Sequence, residues 1–285
     1  MRTTLVSIAT DTTPLDGAFY EPEHEPEGRP VTGAVLLFHG NTMNFYTGAP
    51  RFLPPVLTQM GLACLAFNRR GHDILAIRDS RAAEGAAFQR THEAIEDNRL
   101  AAAWLAARGF ASPVVIGHSN GGMLAARHVA DHPLTPALVL LSAHGGGTGM
   151  VPDASKAGLL AAGRLAEITA QARALVAAGR GTELMLLPGW WYAASAESFL
   201  DLLTELPDTL ALAPRIACPS LFVRGDQEAP ERYPAEAFRR LSPGECTVEI
   251  VSDCDHFYRG CEDVVAALVA AWLARTLPAK PVAGA

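Results

Sequence analysis

The pentapeptide Gly117-His118-Ser119-Asn120-Gly121 constrains this chain more than any other feature. Its Gly-x-Ser-x-Gly spacing permits a sharp turn from a strand into a helix, with the serine in a strained backbone conformation. The apolar residues 113–116 predict a short buried strand before the turn, and residues 122–129 predict a helix after it. The pattern therefore favours Ser119 as an exposed nucleophile, although a glycine-rich turn with an incidental serine has the same spacing.

Two later segments supply partners for a serine nucleophile. A predicted strand at 219–224 ends in Gly225-Asp226, and another at 248–251 leads into Asp255-His256. Open α/β sheets place their ligand sites just past the carboxyl ends of such strands. We predict that His256 removes the serine proton and that Asp226 orients the imidazole. Taken singly, each residue also fits a plainer role, a turn-forming aspartate and a solvated loop histidine.

An upstream turn offers a site for the negative charge that develops in acyl transfer. The apolar strand 33–38 opens into His39-Gly40-Asn41, well before the serine. Two fixed backbone N–H groups aimed at the developing oxyanion can each lower the barrier by a few kcal/mol. We predict that the amides of Asn41 and Asn120 form this oxyanion hole. His39 itself is better explained as a residue that hydrogen-bonds nearby backbone and shapes the loop.

These motifs, together with Arg70-Gly71-His72 after the strand 62–66, resemble the α/β-hydrolase superfamily, specifically its small single-domain serine hydrolases. Asn68 and His72 depart from the commonest residues of the Asp-x-Arg-Gly-x-Gly turn in those enzymes. The resemblance spans nearly the whole chain and implies a mostly parallel eight-stranded sheet flanked by helices, with no cofactor. It also implies a triad of Ser119, Asp226 and His256. It names no substrate, because this scaffold carries many reactions.

The connection after the predicted strand 137–141 is far longer than usual, and long connections are more often functional than idle. We interpret residues 145–213 as a helical cap inserted between the sixth and seventh strands. The segments 1–144 and 214–285 then form the core of a single structural domain with a lid.

Aromatic residues give candidate substrate contacts. Trp190, Trp191 and Tyr192 lie within the predicted cap, and Phe45 and Tyr46 lie just beyond the oxyanion loop. We predict that they bind substrate. Anchoring of the cap to the sheet domain explains the cap aromatics equally well.

Composition narrows the function classes. A chain of 285 residues that is 49% hydrophobic can bury one large core. A net charge of −7, with 23 lysines and arginines in no dense run, argues against nucleic-acid binding. No apolar stretch approaches the roughly 20 residues that span a bilayer, and no signal-peptide core opens the chain, so we expect no membrane partner and a cytoplasmic location. No heptad or repeat indicates an oligomeric state.

The cysteines do not indicate a metal. Five are present, an odd number without the close paired spacing of structural zinc sites. No dinucleotide fingerprint or phosphate loop occurs, so we expect neither metal nor cofactor.

The sequence hypothesis is a serine hydrolase acting on a small-molecule acyl substrate. The substrate is a small to medium, largely apolar carboxylic ester, lactone or related acyl compound, and Ser119 forms an acyl-enzyme. An alternative is carbon–carbon or amide hydrolysis with the same triad. An alternative of another class is a ligand-binding module that has no turnover.

Overall fold

A computed structural model describes residues 1–23, 33–78, 81–190 and 192–277. Within these ranges the strands are β1 (Arg2–Ile8), β2 (Leu15–Glu21), β3 (Gly33–Phe38), β4 (Leu62–Phe67), β5 (Val114–His118), β6 (Leu138–Leu141), β7 (Leu184–Leu187), β8 (Tyr192–Ser195), β9 (Ser220–Gly225) and β10 (Cys246–Val251). The helices are α1 (Ala49–Phe52), α2 (Pro54–Gln59), α3 (Thr91–Ala106), α4 (Asn120–Asp131), α5 (Met150–Lys156), α6 (Leu165–Ala177), α7 (Ala196–Thr204), α8 (Thr209–Leu212), α9 (Ala235–Leu241) and α10 (Glu262–Thr276). Two single 3-10 turns cover Ala86–Phe88 and Ala213–Arg215.

Eight strands form the main sheet in the order β1-β2-β4-β3-β5-β6-β9-β10. The pairs β1–β2 and β2–β4 are antiparallel, and every other neighbouring pair is parallel. The sequence prediction of a mostly parallel eight-stranded sheet flanked by helices is therefore confirmed.

The sheet is covered on both faces, as parallel sheets are. Strands β4, β5 and β6 are buried along their whole length, which matches their continuous apolar sequences. One core cluster joins the sheet to α3, α4 and α9, and a second joins the opposite face to α1, α2 and α10. Because the parallel strands run in the same direction, their carboxyl ends and the loops that follow them meet along one edge.

The segment between β6 and β9 is folded around its own core. This segment, which we call the insertion (145–213), contains α5 to α8 and a hairpin of β7 and β8. Its apolar cluster is separate from the two clusters of the main sheet and includes Leu160, Ile168, Met185 and Phe199. The segment that the sequence analysis predicts to be a helical cap therefore contains a two-stranded hairpin as well as helices. Exposed and buried residues alternate along β7, as in a strand with one covered face. Its buried face packs against the apolar cluster of the insertion, and its other face is exposed.

Buried polar contacts fasten the insertion to the sheet domain. The Tyr192 hydroxyl donates to the carbonyl of Ala86 at 2.9 Å. The Asp201 carboxylate accepts from the Thr91 amide at 2.8 Å and from the Thr91 hydroxyl at 2.6 Å, at the start of α3. These contacts attach the insertion to the 3-10 turn at Ala86–Phe88 and to the start of α3.

Within the residue ranges given above, none of the helices combines the length and the apolar character needed to cross a bilayer.

Candidate active site

Ser119 occupies the turn between β5 and α4. Its backbone has φ 58° and ψ −121°, a conformation that residues other than glycine rarely adopt. The Ser119 amide donates to the carbonyl of Leu141 at 2.9 Å, which ties the turn to the end of β6. A strained serine held by its surroundings at the carboxyl edge of the sheet has the geometry expected of a nucleophile elbow.

Gly121 makes this turn possible. A Cβ atom at residue 121 would lie 2.3 Å from the carbonyl oxygen of His39 and 2.4 Å from that of Phe38. Both are backbone atoms, so neither can rotate out of the way. The first turn of α4 can pack against the end of β3 only because residue 121 has no side chain.

We expect Gly121→Ala to lower the free energy of unfolding by about 2 kcal/mol or more, as overpacking against rigid neighbours does. Gly33→Ala is the matched control, because a Cβ there would meet its nearest neighbour, Leu62 Cδ2, at an ordinary 3.7 Å. Urea unfolding of both variants measures the difference. Equal midpoints for the two variants would contradict the close approach of α4 to β3.

His256 lies on the loop between β10 and α10 and faces the serine. Its Nε2 is 2.9 Å from Ser119 Oγ, and its Nδ1 is 2.7 Å from Glu228 Oε1. The hydroxyl, the imidazole and the carboxylate therefore form one hydrogen-bonded line. With a carboxylate on Nδ1, the imidazole holds its proton there and presents an unprotonated Nε2 to the hydroxyl.

The carboxylate in this line is Glu228 and not Asp226, so the sequence prediction for the acid is wrong. Asp226 is exposed, and its carboxylate accepts from the amides of Asp253 at 3.0 Å and Cys254 at 3.2 Å. It fastens the loop after β9 to the loop after β10. Glu228 comes from the same loop two residues later, and its longer side chain turns back under His256. The sequence signal for it was that this loop carries further carboxylates, Glu228 and Glu231, after Asp226.

Glu228 is buried and fully hydrogen-bonded. Its Oε2 accepts from the Gly225 amide at 2.8 Å and from the Ser142 hydroxyl at 2.5 Å. Burial by itself would raise the pKa of Glu228, but the hydrogen bonds from His256 and Ser142 outweigh it and hold that pKa below its ordinary value. The group is therefore a carboxylate at neutral pH, the form that stabilises an imidazolium.

Ser142 and Tyr258 support the acid from behind. The Tyr258 hydroxyl is 2.7 Å from Ser142 Oγ and 3.2 Å from the carbonyl of Val223. Ser142 is completely buried at the end of β6, with a positive φ of 43°. This small network fixes the carboxylate against the sheet.

The loop of residues 39–41, which the sequence predicts to carry an oxyanion donor, lies against Ser119. A Cβ atom at Gly40 would come within 3.2 Å of Ser119 Cβ. Asn41 and Asn120 line the same cavity as Ser119, and the donor roles of their amides stay a prediction. His39 is fully buried; its Nδ1 donates to the carbonyl of Gly40 at 2.8 Å and its Nε2 accepts from the Arg69 amide at 3.2 Å. It thus has the loop-shaping contacts expected from the sequence.

A cavity of about 470 Å³ opens above Ser119 and His256. The insertion supplies part of its wall, namely Met150, Leu160, Trp190, Tyr192 and Leu202. The sheet domain supplies further apolar side chains, among them Met43, Ile74, Met123 and Phe257. None of the described residues that line it is Asp, Glu, Lys or Arg. The described wall therefore lacks these four charged residue types and combines apolar side chains with uncharged polar ones such as Asn41, Thr42 and Tyr233.

The predicted substrate contacts have different outcomes. Trp190, half exposed, and Tyr192, buried, both line the cavity. Tyr192 also anchors the insertion through its bond to Ala86, and its contact with substrate stays a prediction, as does that of Trp190. Trp191 lies outside the described residues.

Phe45 and Tyr46 are not in the cavity wall, and the prediction that they reach it is wrong. Phe45 packs against the core cluster on the α1 and α2 face, and its ring lies 5.2 Å from that of Tyr46. Tyr233 takes a place that the sequence analysis missed: it lines the cavity, with its ring 5.0 Å from that of His256.

In the part of the chain that the structure describes, no group of three or more His, Cys, Asp or Glu side chains is arranged to hold a metal ion.

A family model described as the alpha/beta hydrolase family matches residues 35–270, well over half of the chain. The chain belongs to this family and is a hydrolase. Among curated proteins, none matches this chain significantly.

Solved structures similar to this one share its fold at low sequence identity. Est1E from Butyrivibrio proteoclasticus, with ferulic acid bound, is 19% identical over 95% of this chain and 98% of its own, with a TM-score of 0.69. A soluble variant of monoglyceride lipase from Saccharomyces cerevisiae, in complex with a substrate analogue, is 14% identical over 98% and 97%, with a TM-score of 0.71. Dienelactone hydrolase from Anabaena variabilis is 18% identical over 97% and 99%, with a TM-score of 0.58.

Proposed function

We propose that this protein hydrolyses small to medium, largely apolar carboxylic esters or lactones through an acyl-enzyme on Ser119. The observation that carries the proposal is the line of hydrogen bonds from Ser119 Oγ to His256 Nε2 at 2.9 Å, and from His256 Nδ1 to Glu228 Oε1 at 2.7 Å. This line ends at a cavity large enough for a small organic molecule.

Acylation begins when His256 Nε2 takes the hydroxyl proton and Ser119 Oγ attacks the substrate carbonyl carbon. The Glu228 carboxylate stabilises the imidazolium that results. His256 then gives the proton to the leaving oxygen, the carbon–oxygen bond breaks, and an alcohol departs. For a lactone the leaving oxygen becomes a hydroxyl on the acyl group itself, so no separate alcohol departs and deacylation releases a single hydroxy acid.

The amides of Asn41 and Asn120 are the proposed donors to the oxyanion. Asn120 is the first residue of α4, so its amide belongs to the positive end of the helix dipole. Asn41 follows Gly40, whose lack of a side chain lets this loop approach Ser119 closely. Water activated by His256 then attacks the acyl-enzyme, which releases the acid and restores the hydroxyl.

The cavity supports an uncharged substrate. Its described wall carries no Asp, Glu, Lys or Arg, so a charged substrate group would lose hydration without gaining an ion pair with any of these residue types. The names of two similar structures, a dienelactone hydrolase and a monoglyceride lipase, agree with lactone or ester chemistry. We propose that the insertion acts as a cap over this pocket, since it contributes five of the lining side chains.

A substrate panel tests this proposal. It contains p-nitrophenyl esters of increasing acyl length, an unsubstituted lactone, the matching anilides and a 1,3-diketone, with products identified by mass spectrometry. Turnover of neutral esters or lactones, absent in Ser119→Ala, is the expected result. Preferential turnover of the anilides or the diketone would contradict the proposed ester or lactone hydrolysis and indicate amide or carbon–carbon hydrolysis.

Trp190→Ala is expected to raise KM for an apolar ester about three- to tenfold with little change in kcat, because it removes apolar contact at the cavity wall and leaves the reacting groups in place. Tyr46→Ala is the matched control, since Tyr46 is also about half exposed but lies outside the cavity wall. Steady-state kinetics on both variants measures the effect. Equal KM values for the two variants would show that Trp190 does not contact substrate.

A further inference from the structure

His118 precedes the nucleophile and is buried inside the protein. It is the last residue of β5 and only 1% exposed. Its Nε2 is 2.8 Å from the backbone carbonyl oxygen of His256. The side chain therefore joins the strand that carries Ser119 to the main chain of the base itself.

The protonation state of His118 follows from this contact. A carbonyl oxygen only accepts hydrogen bonds, so Nε2 must carry a proton and donate. Burial, together with the nearby His256, lowers the pKa of His118 to about 4. The ring is therefore neutral at pH 7, and Nδ1 carries no proton.

That tautomer leaves a polar atom unsatisfied. Nδ1 is buried and has no hydrogen-bond partner among the described residues. A buried acceptor without a donor costs free energy that an apolar side chain of similar size would not incur. Unsatisfied buried groups of this kind call for an explanation, and the bond from Nε2 provides one.

The loop that carries His256 is tied to the β6 and β9 side of the site, where the Tyr258 hydroxyl contacts Ser142 Oγ and the Val223 carbonyl. Asp255 accepts from the amides of Phe257 at 2.9 Å and Arg259 at 3.1 Å, which are bonds inside the loop. Asp226 holds the beginning of the loop from the β9 side. The bond from His118 connects the loop to the nucleophile strand, the direction that sets the distance from His256 to Ser119.

We propose that His118 is a positioning residue, whose hydrogen bond to the His256 carbonyl holds the base at reacting distance from Ser119. This inference rests on the proposed function of the same site. His118 is not part of the cavity wall, so its effect is expected on the rate of the chemical step and not on substrate binding. A displacement of about 1 Å between reacting groups can slow a reaction by about 100-fold.

The test compares two variants that differ in the donor. His118→Leu removes it, whereas His118→Gln keeps it, because the glutamine Nε2 is as many bonds from Cβ as the histidine Nε2. We expect His118→Leu to lower kcat and the rate of fluorophosphonate labelling of Ser119 about 10- to 100-fold, with KM within about threefold. His118→Gln is expected to recover both rates to within about fivefold of the wild type.

Three results would overturn the proposal. The first is wild-type kcat and labelling rates in folded His118→Leu, and the second is an equal loss of these rates in the Leu and Gln variants at equal Tm. The third is a shift of the acid limb of the kcat–pH profile, which would give His118 a proton-transfer role. If His118→Leu does not fold, His118→Met replaces it in the comparison.

Labelling needs no ester substrate, so the two proposals fail separately. A wild type that is labelled at Ser119 but hydrolyses nothing in the panel contradicts the proposed substrate class, and the labelling rates still test His118. A folded wild type that is not labelled contradicts both.

Discussion

Ser119→Ala is expected to abolish ester and lactone hydrolysis, with a loss of at least about a thousandfold in kcat. Without Oγ no acyl-enzyme forms, and the remaining amides and pocket give only the small rate that binding and oxyanion contacts supply. The fold should survive, because the substitution removes one atom whose polar partner, His256 Nε2, faces the cavity. Circular dichroism and thermal unfolding check that point.

Covalent labelling measures the same prediction without a substrate. A fluorophosphonate should add to the wild type once, at the peptide that contains Ser119, and should not add to Ser119→Ala. Ser252→Ala is a suitable control, since Ser252 is an exposed serine outside the site. Labelling at another serine would reject the nucleophile. Tight stoichiometric ligand binding that is unaffected by Ser119→Ala, with no product, would favour the binding module.

The elbow could be predicted from sequence because its determinants are local. The apolar run of β5, the glycines at 117 and 121 and the helical continuation all lie within about 20 residues, and each is required by sterics that any structure must obey. The sheet followed in the same way from continuous apolar strands separated by helical segments. The contact between Ser119 and His256 followed from strand order, since loops after neighbouring parallel strands meet at one edge.

The acid could not be chosen from sequence, because the choice depends on how one loop turns. Asp226 and Glu228 are both carboxylates in the connection after β9. The turn exposes the first and buries the second beneath His256. The buried hydrogen bond from Ser142, a residue 86 positions earlier, helps to fix that outcome. Such a tertiary contact has no signature in the local sequence.

Pocket residues were harder to predict for a similar reason. Phe45 and Tyr46 are close to residues 39–41 along the chain. Phe45 nevertheless packs against the core cluster that joins the sheet to α1, α2 and α10. Tyr233 lies in the connection after β9, only a few residues beyond Asp226, yet no local pattern marked it as a residue that packs beside His256. Nearness in sequence therefore predicted the backbone of the site better than the walls of its cavity.

Glu228→Gln is expected to lower kcat about 100- to 10,000-fold, while Asp226→Asn changes it by less than about threefold. The reason is the fixed direction of one backbone donor. The Gly225 amide points at the Glu228 side chain and can only donate, so the oxygen of a glutamine must face it. The glutamine NH₂ group then faces His256 Nδ1, which forces the imidazole proton onto Nε2. An imidazole in that tautomer cannot accept the proton of Ser119.

Asp226→Asn provides the matched control, because it also neutralises a carboxylate of the same loop. Its partners are two amides, of Asp253 and Cys254, and an asparagine oxygen still accepts from at least one of them. Both kcat and the rate of fluorophosphonate labelling should fall in Glu228→Gln. Both should stay close to the wild-type values in Asp226→Asn. The opposite ranking would restore Asp226 as the acid and would require the loop after β9 to rearrange when substrate binds. Since Glu228 is held by Gly225, Ser142 and His256 together, that rearrangement would have to break three hydrogen bonds at once, and this is why we assign the role to Glu228.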